Sequence, residues 1–119
     1  MTENKNPKQY DLEERTFQFA KRTIAYVDKL LKTTTSIEIG KQLVRSGGSV
    51  GANYIEDNES LGKKDFAMRI RISRKEAKES RYWLKLSLPK DDQTTEKELL
   101  VKESTELMNI FGVILKKVK

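Results

Sequence analysis

Residues 45–56 read RSGGSVGANYIE, with three glycines inside five positions. Such a stretch is either a loop that cradles a phosphate or a helix face cleared of bulk. A Walker-type loop requires Gly-x-x-x-x-Gly-Lys-Ser/Thr between a strand and a helix. Here Gly51 is followed by Ala52 and Asn53, with no lysine, and the preceding residues continue a helical stripe. The dinucleotide pattern fails as well, because Gly47, Gly48 and Gly51 have the wrong spacing. A helix accounts for more. Gly40, Gly47 and Gly51 are seven and four residues apart, so they share a face beside Leu43, Val50 and Tyr54. Three interior glycines cost a helix about 3 kcal/mol against alanine. Close approach of a second helix is the expected compensation; a weak or kinked helix is the alternative.

Outward from this stretch, helical periodicity continues in both directions. Ile39, Leu43, Ser46, Val50, Tyr54, Asp57 and Leu61 recur at three- and four-residue steps, opened by a Thr35–Glu38 capping box and stopped at Gly62. Before it, Leu12, Thr16, Phe19, Thr23, Val27 and Leu30 form a stripe widened by Ile24 and Leu31. That helix is expected to start at the Asp11–Glu14 cap and to end near Lys32. A third helix is expected from about Lys64 to Leu88, before Pro89. A fourth follows a Thr95–Glu98 cap, with Leu100, Ser104, Leu107, Phe111, Ile114 and Val118 inward. Four helices of about 22–25 residues, each about 33–38 Å long, joined by short breaks predict an all-α, antiparallel up-down-up-down four-helix bundle. The expected organisation is a flexible tail over residues 1–10 and one bundle domain over 11–119.

Composition removes whole classes of chemistry. The 119 residues contain no cysteine and no histidine. Disulfides, thiolate metal sites, a cysteine nucleophile and every serine–histidine arrangement are excluded. No cofactor, no metal and no small-molecule substrate is expected. The N-terminal MTENKNPKQY has no apolar core region, and no apolar run approaches a membrane span. A soluble cytoplasmic protein without a membrane partner is the expectation. Leu, Ile, Val and Phe total 30 of 119, enough for one core.

The net charge of +6 is unevenly placed. Lys63 to Lys90 holds ten basic and three acidic residues, +7; the remainder holds fourteen and fifteen, −1. On the second helix, Arg45, Ser49, Asn53 and Glu56 align at steps of four, four and three. Such a row is first of all a hydrogen-bonded ladder at a helix–helix seam. As a catalytic pair, Arg45 and Glu56 lack a second carboxylate to set acid and base apart.

KQLVRSGGSVGANYIEDNES, then KEAKESRYWLKL, together with YDLEERTFQFA near the start, resembles the intervening-sequence proteins of large-subunit ribosomal RNA genes. The likeness rests on Gln42, Arg45, Ser46, Ser49, Asn53 and Glu56 in the second helix. In the third it rests on Ala77, Glu79, Tyr82, Trp83 and Leu84. It covers roughly residues 10–118, and the Gly47–Gly48 pair departs from the small residues expected there. The resemblance implies a bacterial four-helix bundle that assembles as a ring, typically a pentamer, with no known catalytic residue. It also implies a relation to the accessory (variability determinant) protein of diversity-generating retroelements, a basic barrel that contacts nucleic acid and reverse transcriptase.

Residue arithmetic on the third helix points to assembly independently. Phe66, Ile70, Ser73, Ala77, Ser80, Leu84 and Leu88 share the expected core direction. Met68, Ile72, Trp83 and Leu86 form a second apolar face, read as an oligomer interface, because a monomeric bundle buries one face per helix. The rival is that a long side chain such as Trp83 folds back on the core. The remaining arc carries Arg71, Arg74, Lys75, Lys78, Arg81 and Lys85, six cations whose mutual repulsion phosphates would relieve. Tyr82, at its edge, is placed to stack on a base. The first functional expectation is a non-enzymatic homo-oligomer that binds nucleic acid, RNA or a nucleic-acid–protein complex, without strong sequence specificity. The second is a protein-binding adaptor or scaffold with incidental charge.

Overall fold

The computed structural model describes residues 7–57 and 62–118, with side chains over 12–55 and 62–118. Its elements are α1 (Pro7–Asp28), α2 (Thr34–Asp57), α3 (Lys63–Leu86), a 3₁₀ turn (Asp91–Gln93) and α4 (Thr94–Lys117). No strand occurs among the described residues. Each helix packs on the next, and α1 closes the circuit against α4. The chain is an all-α antiparallel four-helix bundle, about 44 Å in its longest extent.

The helix ends differ from the sequence reading, each for a local reason. Helix α1 begins at Pro7, where a missing N–H costs nothing, so Asp11 lies inside the helix. It closes at Asp28 through tight bonds from Lys29 N–H to the Tyr26 carbonyl and from Leu30 N–H to the Val27 carbonyl. At α2 the cap is Thr33, whose Oγ1 accepts the Ser36 N–H at 3.1 Å. Thr35 is already helical. Helix α4 is led in by the 3₁₀ turn, and its N-cap, Gln93, makes no side-chain cap bond. The Thr95–Glu98 box is therefore not used. Helix α3 stops at Leu86, and Ser87 is extended. Leu88 consequently leaves the core and is 71% exposed, against its expected inward position. Residues 1–6 of the expected tail, Leu61 of the expected α2 stripe and the side chain of Asp57 lie outside what is described.

The core joins Leu12, Phe19 and Tyr26 of α1, Leu30 just past its end, Leu43, Val50 and Tyr54 of α2, Ile70, Ala77 and Leu84 of α3, and Leu100, Leu107 and Phe111 of α4. Phe66, Ile110 and Ile114 pack against its margin. Ile24 and Leu31, read as a widening of the core stripe, are exposed instead. Tyr26 takes the inward place, its hydroxyl 2.6 Å from the Ser87 Oγ. Burial pushes that phenol up from its ordinary pKa.

Small residues set the helix separations. The glycines of α2 have no positive φ, so space and not backbone freedom explains them. A Cβ added at Gly40 would lie 2.8 Å from Val27 Cγ1, at Gly47 3.2 Å from Thr23 Cγ2, and at Gly51 2.9 Å from Thr16 Oγ1. The glycine face of α2 is the surface on which α1 rests. On the other side, Ser46, Ser73 and Ser80 are fully buried between α2 and α3. Ser80 Oγ donates to Ser46 Oγ at 2.9 Å, and Ser73 Oγ donates to the Val50 carbonyl at 2.9 Å.

Candidate functional site

The α2–α3 seam carries a polar ladder. Ser49 Oγ donates to the Arg45 carbonyl and Asn53 Nδ2 to the Ser49 carbonyl, both at 2.9 Å, which binds the row to its own helix. Arg69 of α3 donates to Asn53 Oδ1 at 3.2 Å. Arg45 reaches across to α3 and donates to Glu76 at 3.2 Å and to Glu79. Glu79 also accepts the Trp83 indole N–H at 3.1 Å. That bond, the bond from Arg45 and the positive charge of Arg45 and Lys75 hold the Glu79 carboxyl below its ordinary range. Three of the four ladder residues, Arg45, Ser49 and Asn53, thus fasten α2 to itself and to α3. The side chain of the fourth, Glu56, lies outside the described residues.

Sequence reasoning missed the receiving end of this ladder. Glu76 and Glu79 are two of only three acids between Lys63 and Lys90. Acids three apart in a basic helix were the available signal. Equivalent clamps tie α1 to α4: Arg15 bridges Glu103 at 2.7 Å and Glu106 at 2.9 Å, and Arg22 bridges Glu96 at 3.0 Å.

The basic row lies on the α4 side of α3. Arg71, Arg74, Lys75, Lys78 and Lys85 are exposed, and none forms an ion pair among the described residues. Arg74 lies across α4 where Gly112 leaves room; a Cβ there would sit 3.8 Å from Arg74 Cζ. Arg81 is half-buried and donates to Thr105 Oγ1 at 3.2 Å. Two of the six cations are therefore set against α4, and the other four project from α3. Tyr82 is exposed beside them and meets Trp83 edge-on, with ring centroids 5.1 Å apart.

The apolar residues of the second face divide. Met68 and Leu86 are each 46% exposed. Ile72 is half-buried. Trp83 packs partly against the core and is fixed at its nitrogen by Glu79. The outer face of α3 consequently keeps an apolar margin at Met68, Ile72 and Leu86, with Trp83 folded partly inward.

This geometry defines a class: an antiparallel helical bundle with glycine- and serine-lined seams, a charged clamp at each of two seams, and one strongly basic helix. Within that class, residues 8–112 match the model of the 23S rRNA-intervening sequence protein family, and the chain belongs to that family. No curated protein matches it. Among solved structures it is similar to a protein of unknown function from the S23 ribosomal protein family of Bacteroides thetaiotaomicron. The two are 31% identical, with a TM-score of 0.78 over 89% of this chain and 99% of the other. No described helix is long and apolar enough to cross a membrane.

Proposed function

We propose that this protein is a non-enzymatic, cytoplasmic homo-oligomer, a ring of about five bundles in line with the family resemblance, whose α3 surface contacts nucleic acid. The supporting observation is a contrast between arginines. Arg15, Arg22 and Arg45 are each committed to glutamates on a neighbouring helix. Arg71, Arg74, Lys75, Lys78 and Lys85 share one exposed helix face and form no ion pair among the described residues, Lys75 acting on Glu79 only through its charge. A row of unneutralised cations suits a phosphate backbone, recognised by charge and not by base sequence. The family's association with a ribosomal RNA insertion favours structured RNA or an RNA–protein complex. The relation to the retroelement accessory protein that the sequence resemblance implies points the same way.

The test is retention on an RNA or heparin column in a salt gradient. Arg71, Lys75 and Lys78 are exposed and make no hydrogen bond or ion pair to another helix among the described residues, so Arg71→Glu/Lys75→Glu/Lys78→Glu is expected to leave the bundle folded. The wild type is expected to elute late, with affinity falling steeply with salt, and the triple variant to lose about tenfold or more in affinity at fixed salt. Equal retention of the two proteins refutes the nucleic-acid reading and leaves a protein-binding scaffold.

A further inference from the structure

The contacts of the glycine face fix the register of α1 on α2. Val27 meets Gly40, Thr23 meets Gly47 and Thr16 meets Gly51. In that register Ile24 stands level with Val44 and Phe17 between Gly48 and Ile55, while Leu31 lies in the connection just past α1, at the Ile37 end of the seam. Helical spacing puts Phe17, Ile24, Ile37, Val44 and Ile55 on the outer side of the α1–α2 seam, and with Leu31 the six are 39–55% exposed. Phe17 and Ile24 are seven residues apart within α1, as are Ile37 and Val44 within α2. Sevenfold spacing keeps a seam straight along a helix pair and is the repeat by which a further helix packs. Gly48 makes a notch in the strip, with nothing within 4 Å of the place a Cβ would occupy.

At about 180 Å² per fully exposed side chain, the six present roughly 500 Å² of apolar surface, large for a single patch on a monomer. A standard interface buries about 800 Å² per partner, of which about 450–520 Å² is apolar. The strip therefore meets the apolar share of one side of a stable contact, and the apolar margin of α3 brings at most about 230 Å² to the other. A second apolar margin, Met68, Ile72 and Leu86, stands on another side of the bundle, along α3. On α2 the strip spans about 27 Å from Ile37 to Ile55, and the margin about 27 Å from Met68 to Leu86. A symmetric strip-to-strip contact would leave the α3 margin in water. A strip-to-margin contact covers both with one kind of interface.

We infer that the outer α1–α2 seam is the docking surface for the α3 margin of a second copy of this chain, in a head-to-tail contact. The inference rests on the assembly part of the function proposed above and names its two surfaces. Each copy presents one strip and one margin, so every interface is the same and the chain of contacts is able to close on itself. Arg74, Lys78 and Lys85 face the α4 side of α3 and stay open in such an assembly.

The test uses two full-length variants, Ile24→Glu/Val44→Glu in the strip and Met68→Glu/Leu86→Glu in the margin, with mass read by sedimentation and light scattering at tens of micromolar. All four positions are exposed, and circular dichroism checks folding; Ile24→Ser/Val44→Ser and Met68→Ser/Leu86→Ser serve if a glutamate pair unfolds. The expected result is an assembled wild type, two monomeric variants, and a 1:1 mixture that forms a heterodimer through the single intact strip and margin. A margin variant that dimerises by itself overturns the inference in favour of a symmetric strip contact. A mixture that stays monomeric overturns it too. A strip variant that assembles like wild type overturns it while sparing assembly through α3. A monomeric wild type overturns both it and the assembly part of the proposed function, leaving the column test of nucleic-acid binding independent.

Discussion

Gly48 and Gly51 sit three residues apart in one helix, and alanine at the two positions is expected to act with opposite signs. Each substitution gains about 0.8–1 kcal/mol of helix propensity. At Gly48 nothing opposes it, because the new methyl meets open space. At Gly51 the methyl would lie 2.9 Å from Thr16 Oγ1, 3.1 Å from Thr16 Cβ and 3.6 Å from the Thr16 carbonyl carbon. Thr16 is fully buried, and its hydroxyl donates to the Glu13 carbonyl at 3.0 Å. Rotating it away forfeits a hydrogen bond of about 1 kcal/mol, and the near Cβ does not move with rotation. The helices must separate, and overpacking of this kind costs about 1–3 kcal/mol. Gly48→Ala is therefore expected to stabilise by about 1 kcal/mol, and Gly51→Ala to destabilise by about 1–2 kcal/mol net. Equilibrium urea unfolding followed by circular dichroism, at a chain concentration low enough that every variant sediments as a monomer, reads both. A Gly51→Ala protein as stable as Gly48→Ala would refute the close-approach account of the glycine face.

Thr23 Oγ1 is buried without a hydrogen-bond partner among the described residues. Thr23→Val keeps the shape and removes the orphaned hydroxyl, so thermal unfolding is expected to report a gain of about 1 kcal/mol. The Glu79 carboxyl is held below its ordinary value of 4.5 by Trp83, Arg45 and Lys75. A lowered folded pKa means stability that is complete above the ordinary value and lost as pH falls through the folded one. Glu79→Gln is expected to be the less stable protein near neutral pH, with the gap narrowing below pH 4.5; denaturant midpoints across pH 3–7 that stay parallel would remove this role. Trp83 fluorescence is expected to shift over the same acid range in wild type and not in Glu79→Gln, because the indole loses a charged acceptor.

Periodicity alone located most of the interior. Phe19, Leu43, Val50, Ile70, Leu84, Leu100, Leu107 and Phe111 recur at three- and four-residue steps and all are buried. So do Ser46, Ser73, Ser80 and Ser104, whose inward position follows from the same steps despite their hydroxyls. Helix ends were harder to read. A Ser/Thr–x–x–Glu pattern occurs at Thr35 and Thr95 without being used, because Thr33 and the Asp91–Gln93 turn satisfy the first turn earlier. Ile24, Leu31 and Leu88 look like core residues in a window of sequence. Which side of a helix a neighbour covers, and where the helix stops, put them outside. The Arg45–Glu56 row was legible as a ladder, whereas its acceptors Glu76 and Glu79 lie 31 and 34 residues from Arg45 and share no local pattern with it.

Four amphipathic helices, a face of α2 without side chains and the collection of positive charge on α3 are all written in the order of residues along the chain. These follow from repeats of three and four residues and from local counts, which need no knowledge of neighbours. Packing settles which helix fills the glycine face, which arginines are consumed by glutamates and which are left to solvent, and that Phe17 and Ile24 share a seam with Ile37, Val44 and Ile55. Those outcomes depend on the register between helices distant in the chain, and register is set by side-chain contact across a seam, at Thr16 on Gly51 and Thr23 on Gly47.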